Sequence, residues 1–104
     1  MKAKKVIRQN FRDAVFNRDG HKCVYCDITD NLDAHHIVDR NEMPNGGYVV
    51  ENGITLCQKH HMDAEEYHIT GGDSWVDDMH PIDLFIKIKS TIRLAIATSE
   101  KLKL

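Results

Sequence analysis

Seven residues in this chain have the side chains and spacing of metal ligands. Cys23 and Cys26 form a Cys-x-x-Cys, and Cys57 and His60 a Cys-x-x-His. Two residues between cysteines let one tight turn present both thiolates to a single tetrahedral zinc. Cys57 and His60 lie three apart, so the first turn of a helix brings both to one ion. A Cys3His zinc site uses all three cysteines, an odd number that argues against a disulfide framework. The second half-site also argues against a redox role for Cys23 and Cys26. The remaining ligands are His35, His61 and Glu65. His61 projects away from the zinc, and Glu65 lies one helical turn further along the same face.

The elements that must position these residues follow from hydrophobic spacing. Residues 3–18 read as an amphipathic helix, with Val6, Ile7, Phe11, Ala14, Val15 and Phe16 on one side and Lys and Arg on the other. Gly20 suits a left-handed cap. The basic side is either a surface for phosphate or a solvated back. Residues 32–38 alternate as a strand, which sends adjacent His35 and His36 to opposite faces. One histidine then binds a metal while the other meets the substrate. Residues 39–47 form a polar loop, 48–50 a short strand, and 54–56 a strand that pairs with 32–38 as a hairpin. Asn52-Gly53 carries a turn signature, and turn chemistry alone would explain Asn52. A helix runs from Cys57 to Tyr67 or His68. His68 is about 10 Å from His61 by helix rise, too far to share a metal shell, and is assigned to an outer shell or to solvent. His21 reads as exposed loop, with a spare ligand as the alternative.

Residues 70–80 form a Gly- and Asp-rich connection, with Trp75 and Val76 expected to tuck back onto the body. Pro81 at the first helical position and Asp83 in the first turn open a helix over 82–97. Its stripe is Phe85, Ile88, Ile92 and Ile96. Residues 99–104 read as a tail. The expected organisation is one α+β domain over residues 1–104: an N-terminal helix (1–20), a zinc-stapled core (21–69) and a C-terminal extension (70–104).

With 104 residues and 41% hydrophobic content the core is thin, and a metal staple suits it. No stretch is apolar enough to span a membrane. The expected location is the cytoplasm, where thiols stay reduced. Net charge is −2, but its distribution is uneven. Lys2, Lys4, Lys5, Arg8, Arg12, Arg18 and Lys22 crowd the first 22 residues. Residues 62–83 carry Asp63, Glu65, Glu66, Asp73, Asp77, Asp78 and Asp83 with no Lys or Arg. Basic ends around an acidic middle fit a single basic face for nucleic acid, but on charge alone ordinary solvated faces are the favoured reading. The acidic run could face solvent, a partner protein or a second copy.

His35-His36-Ile37, Asn52-Gly53-Ile54-Thr55-Leu56 and Cys57-Gln58-Lys59-His60-His61 together resemble the HNH endonucleases, in particular a zinc-stapled branch with a ββα-metal core. The resemblance covers about the central half of the chain. Arg18-Asp19-Gly20 before Cys23 is similar to small members from phages and bacteria, which would place the protein in a bacterial or phage-infected cell. The resemblance implies cleavage of DNA phosphodiester bonds, leaving 5′-phosphate and 3′-hydroxyl ends. It implies that His36 is the general base and that His35 and His61 are ligands of one divalent cation (Mg²⁺, Mn²⁺, Ni²⁺ or Zn²⁺). Asn52 would brace the hairpin loop. Glu65 stands where some members carry a further helix ligand, and His60 replaces the usual fourth zinc cysteine. Arg40, just past the strand, is a candidate phosphate contact. The alternative is a Cys3His module that binds nucleic acid or protein without catalysis, or a structural subunit with a degenerate site. The zinc module would have no need of His35, His36, Asn52 and His61 together; the acidic run from Asp63 to Asp83 favours the degenerate site, because negative charge near a cleft repels phosphate.

Overall fold

The N-terminal apolar spacing produces helix α1 (Lys4–Arg18). The structure is a computed structural model describing residues 3–103; Met1, Lys2 and Leu104 lie outside the described residues, so Lys2 of the basic cluster and the end of the expected tail are not placed. The chain leaves α1 through Asp19 and Gly20, whose φ of +74° is the left-handed conformation expected of it. The buried stripe is narrower than the apolar spacing suggests. Phe11 and Val15 are buried, but Val6 and Ala14 are exposed, because α1 covers only a small hairpin.

That hairpin pairs β1 (Leu32–His36) antiparallel with β2 (Gly53–Cys57), His35 opposite Ile54 and His36 opposite Gly53. Helix α2 (Gln58–Ile69) follows directly, so the centre of the chain is a ββα unit in an α+β fold. Phe11 and Val15 press on Gly53. A Cβ there would lie 2.4 Å from Val15 Cγ2 and 2.8 Å from Phe11 Cε1. Gly53 is itself extended, at φ −128°, so space rather than backbone freedom selects glycine. Gly53→Ala is expected to destabilise by about 1–3 kcal/mol through overpacking; an unchanged melting temperature would refute this contact. Arg18 clamps the same junction. Its guanidinium donates to the carbonyls of Val50 and Gly53, both at 2.6 Å, and to the Asp19 carboxylate. Asp19 Oδ2 accepts from the Thr55 N–H at 2.9 Å.

Two expected elements differ. Residues 48–50 do not form a strand: Arg40–Glu42, Pro44–Gly47 and Val50–Asn52 are short 3₁₀ turns. The Asn52 side chain holds both the N–H and the C=O of Val38, where a third strand would have paired. The helix over 82–97 is two helices, α3 (Pro81–Lys87) and α4 (Ile92–Glu100). Lys89 takes φ +57°, Ser90 Oγ donates to the Glu51 carbonyl, and Thr91 caps α4 by accepting from the Leu94 N–H. The start of α3 is as expected, with Pro81 first and the Asp83 carboxylate accepting from the His80 N–H. Ile92 is exposed, so the expected four-residue stripe is interrupted there; Phe85 is buried, Ile88 and Ile96 pack half-buried on the core, and Leu84 and Ala95 add to it. Ser99 is no tail residue. It is buried in α4, and its carbonyl accepts from Asn45 Nδ2. Trp75 sets its ring edge-on to His80 at 4.8 Å but stays half exposed, and Val76 is exposed as well. Met79, Leu84, Phe85 and Ala95 join Ile37, Ile54 and Leu56 in one core cluster. Among the described residues no helix is long and apolar enough to cross a membrane.

Candidate active site

Cys23, Cys26, Cys57 and His60 converge. Cys57 closes β2 and His60 sits in the first turn of α2, while Cys23 and Cys26 come from a knuckle closed by the Cys23 N–H on the Ile28 carbonyl at 2.8 Å. All three cysteines are free thiols. Cys26 Sγ lies 3.7 Å from Cys57 Sγ, and His60 Nδ1 lies 3.6 Å from Cys23 Sγ and 3.2 Å from Cys57 Sγ. A zinc tetrahedron with Zn–S of about 2.3 Å has edges of roughly 3.5–3.8 Å, so this group fits a zinc ion. Burial pushes the Cys57 thiol up, but hydrogen bonds from His60 and the neighbouring thiols outweigh it and bring its pKa to about 7. The thiolate that a metal needs is then within easy reach at neutral pH. The Tyr25 ring stacks on His60 and closes one side.

The alternation of β1 separates its two histidines. His35 is buried and points at α2, where it meets His61 and Glu65. Glu65 Oε1 lies 3.2 Å from His35 Nδ1 and 3.1 Å from His61 Nε2. The His35 contact is close but not aligned as a hydrogen bond, and both His35 ring nitrogens are buried without a partner. Asp33 Oδ2 takes the other His61 nitrogen, Nδ1, at 3.2 Å. The two histidines hold the Glu65 carboxyl well below its ordinary range, and Glu65 followed by Asp33 raises His61. A neutral His61 that donates Nδ1–H to Asp33 would set its Nε2 lone pair against an anionic oxygen. A cation between them removes that conflict and satisfies the unpartnered His35 nitrogen. Two imidazoles and a carboxylate are therefore a donor set that fits a divalent ion, with Asp33 orienting one of them.

His36 turns to the other face. Its ring stacks on Phe11, with centroids 4.4 Å apart, and meets the Tyr48 ring edge-on. Nε2 is buried without a partner, leaving Nδ1 as the nitrogen available to the cleft. Burial, then the nearby His35 and Arg40, lowers its pKa to about 4, so His36 is neutral near pH 7. Asn52 is fully buried. Besides binding Val38, its Nδ2 donates to the Gly47 carbonyl at 3.2 Å, which ties the loop over residues 38–47 to the start of β2. Turn chemistry alone does not account for it. Asn52→Ala strands these partners, each at about 1–3 kcal/mol if left unsatisfied. The expected result is a clearly lower melting temperature; an unchanged melt would refute the brace.

Both faces of β1 open on one cleft of about 410 Å³, lined also by Arg40, Arg8, Arg12 and Tyr48. Arg40 and the basic side of α1 are the phosphate candidates read from the sequence; Tyr48 is not among them. Burial raises the Tyr48 phenol, but Arg40 and Arg8 beside it bring it below its ordinary value. His68 lies outside the three-residue metal group, as its helix rise predicts. It is not a solvent residue, however: its Nε2–H donates to the His36 carbonyl at 3.0 Å, and its ring stacks on His35. Of the seven acids in 62–83, only Glu65 lines the cleft, so that run does not oppose an anionic substrate there.

A hairpin and helix that enclose a three-donor group, with a neutral histidine behind it and a Cys3His group at the base, is an arrangement with a known counterpart. Residues 23–67 match the HNH endonuclease family. No curated protein and no solved structure gives a significant match to the chain. The HNH match takes in both ligand groups, His36, Asn52 and Arg40. It ends one residue before His68 and leaves α1, with Arg8 and Arg12, outside. The matched segment carries both residue groups that could hold a metal ion.

Proposed function

We propose that this protein is a divalent-cation-dependent endonuclease that hydrolyses DNA phosphodiester bonds, with His36 as general base. What supports the reading is a single juxtaposition. A neutral imidazole and a three-donor metal group occupy opposite faces of one strand and share a cleft with three arginines. His35, His61 and Glu65 would hold the cation, which would supply neutralisation of the charge that builds on the phosphodiester. His36 Nδ1 accepts a proton from the attacking water, for which a neutral imidazole is suited. Phe11 and Tyr48 pack against the ring and fix its aim, and His68 holds the His36 backbone. Asn52 keeps the loop that carries Arg40 against the hairpin, and Arg40 meets a phosphate oxygen.

The test is supercoiled plasmid incubated with Mg²⁺ or Mn²⁺, and with either cation plus excess EDTA. Nicked or linear product is expected with cation and none with EDTA. Plasmid left intact under Mg²⁺, Mn²⁺, Ni²⁺ and Zn²⁺ by folded, zinc-loaded protein would leave the non-catalytic zinc module as the function.

A further inference from the structure

Helix α1 is the main contributor to the cleft from outside the matched segment, and its basic residues are not scattered. Lys4, Arg8 and Arg12 recur every fourth position, which puts them in one row. By helix rise the row is about 12 Å long. That equals the axial rise of three to four nucleotides, at about 3.4 Å per nucleotide of one strand. All three are exposed. Three adjoining depressions run along the row and Arg8 lines each of them. One holds Lys4 and Arg40, the next Lys5 and Arg12, and the third is the cleft itself. Arg12 lines the cleft, and one of its guanidinium nitrogens donates to the Leu32 carbonyl at 3.3 Å. Asp13 on α1 accepts from Gln9, and of the acids that line the cleft Asp33 accepts from His61, Glu65 stands between His35 and His61, and Asp39 adjoins Arg40. On α2 and the connection after it, by contrast, Asp63, Glu66, Asp73, Asp77 and Asp78 stand outside the cleft.

We infer that a DNA backbone lies along α1, contacting Lys4, Lys5, Arg8 and Arg12 and passing Arg40 into the cleft, and that it does not cross α2. This rests on the endonuclease reading above and gives that site a direction. The contacts are to phosphate, so they set affinity and position rather than sequence preference.

The experiment measures binding of a fluorescein-labelled 20-base-pair duplex to full-length His36→Ala protein, a background in which cutting does not interfere, over a series of salt concentrations. The slope of log K against log[salt] is expected to become shallower by about 0.9 for each of Arg8→Ala and Arg12→Ala, the value for one lost phosphate contact on duplex DNA. Arg8→Lys should keep the parent slope, since charge is what counts. Lys59→Ala on α2 and Arg93→Ala on α4, both exposed, should leave it unchanged. Equal changes for Arg93→Ala and Arg8→Ala, or a full slope in Arg8→Ala, would overturn the track. The two readings fail separately. Plasmid cutting by wild type with unaltered slopes in the α1 variants removes the track and keeps the nuclease. Shallower slopes with plasmid left intact under every cation keep the track and remove the nuclease.

Discussion

His36→Ala is expected to lose plasmid cutting by about 10²–10⁴-fold, the usual contribution of a positioned general base. The ring sits on Phe11 and Tyr48, away from both metal groups, so the variant should stay folded and keep one zinc per chain. Zinc content and the melting curve, measured on the same preparation, check that. The alanine leaves the cation ligands in place, so the cleft can still bind DNA. The loss should therefore be in turnover and not in affinity. Equal residual cutting by wild type and variant would identify a contaminant and remove His36 from its role. His36 is neutral near pH 7 because of burial, which makes its base form the resting state.

Cys57→Ser should have the largest effect on stability. Zinc binding in small domains is on the order of 10–16 kcal/mol at neutral pH. Whole small domains are stable by only about 5–15 kcal/mol. Loss of even part of that term is enough to abolish cooperative melting. Position adds to it, since Cys57 is at once the end of β2, the residue before α2 and a ligand shared with the knuckle around Cys23. Metal analysis should find the zinc equivalent gone, and near-ultraviolet circular dichroism should show the tertiary signal lost. A variant that retains one zinc and melts like wild type would show that the group does not hold the fold.

Much of the site could be read from local spacing because the relevant geometry is local. Strand alternation separates His35 from His36, and helical periodicity joins His61 to Glu65. The Cys-x-x-Cys and Cys-x-x-His spacings define one tetrahedral group. What could not be read depends on contacts across the fold. Asn52 looks like a turn residue until Val38 is known to lie beside it. The break at Lys89–Thr91 depends on Ser90 reaching Glu51, although Thr91 as a cap was a signal in plain view. The distance of His68 from His61 along the helix is legible in the sequence, but its bond to His36 crosses from α2 to β1. Whether the basic side of α1 meets solvent or the cleft is likewise a question of docking. The glycine at position 53, which admits Phe11 and Val15, settles it only once the helix is in place.

The placement of two neighbouring histidines on opposite sides of β1 makes the site depend on parity. Removing or adding one residue within Leu32–His36 would not merely shift the site along the strand. Every side chain beyond the change would pass to the other face. His36 would then be delivered to Glu65, and His35 to the aromatic floor made by Phe11 and Tyr48. No small displacement connects the two arrangements. Point substitutions can erode this site step by step, but a length change in β1 exchanges its two halves in a single event.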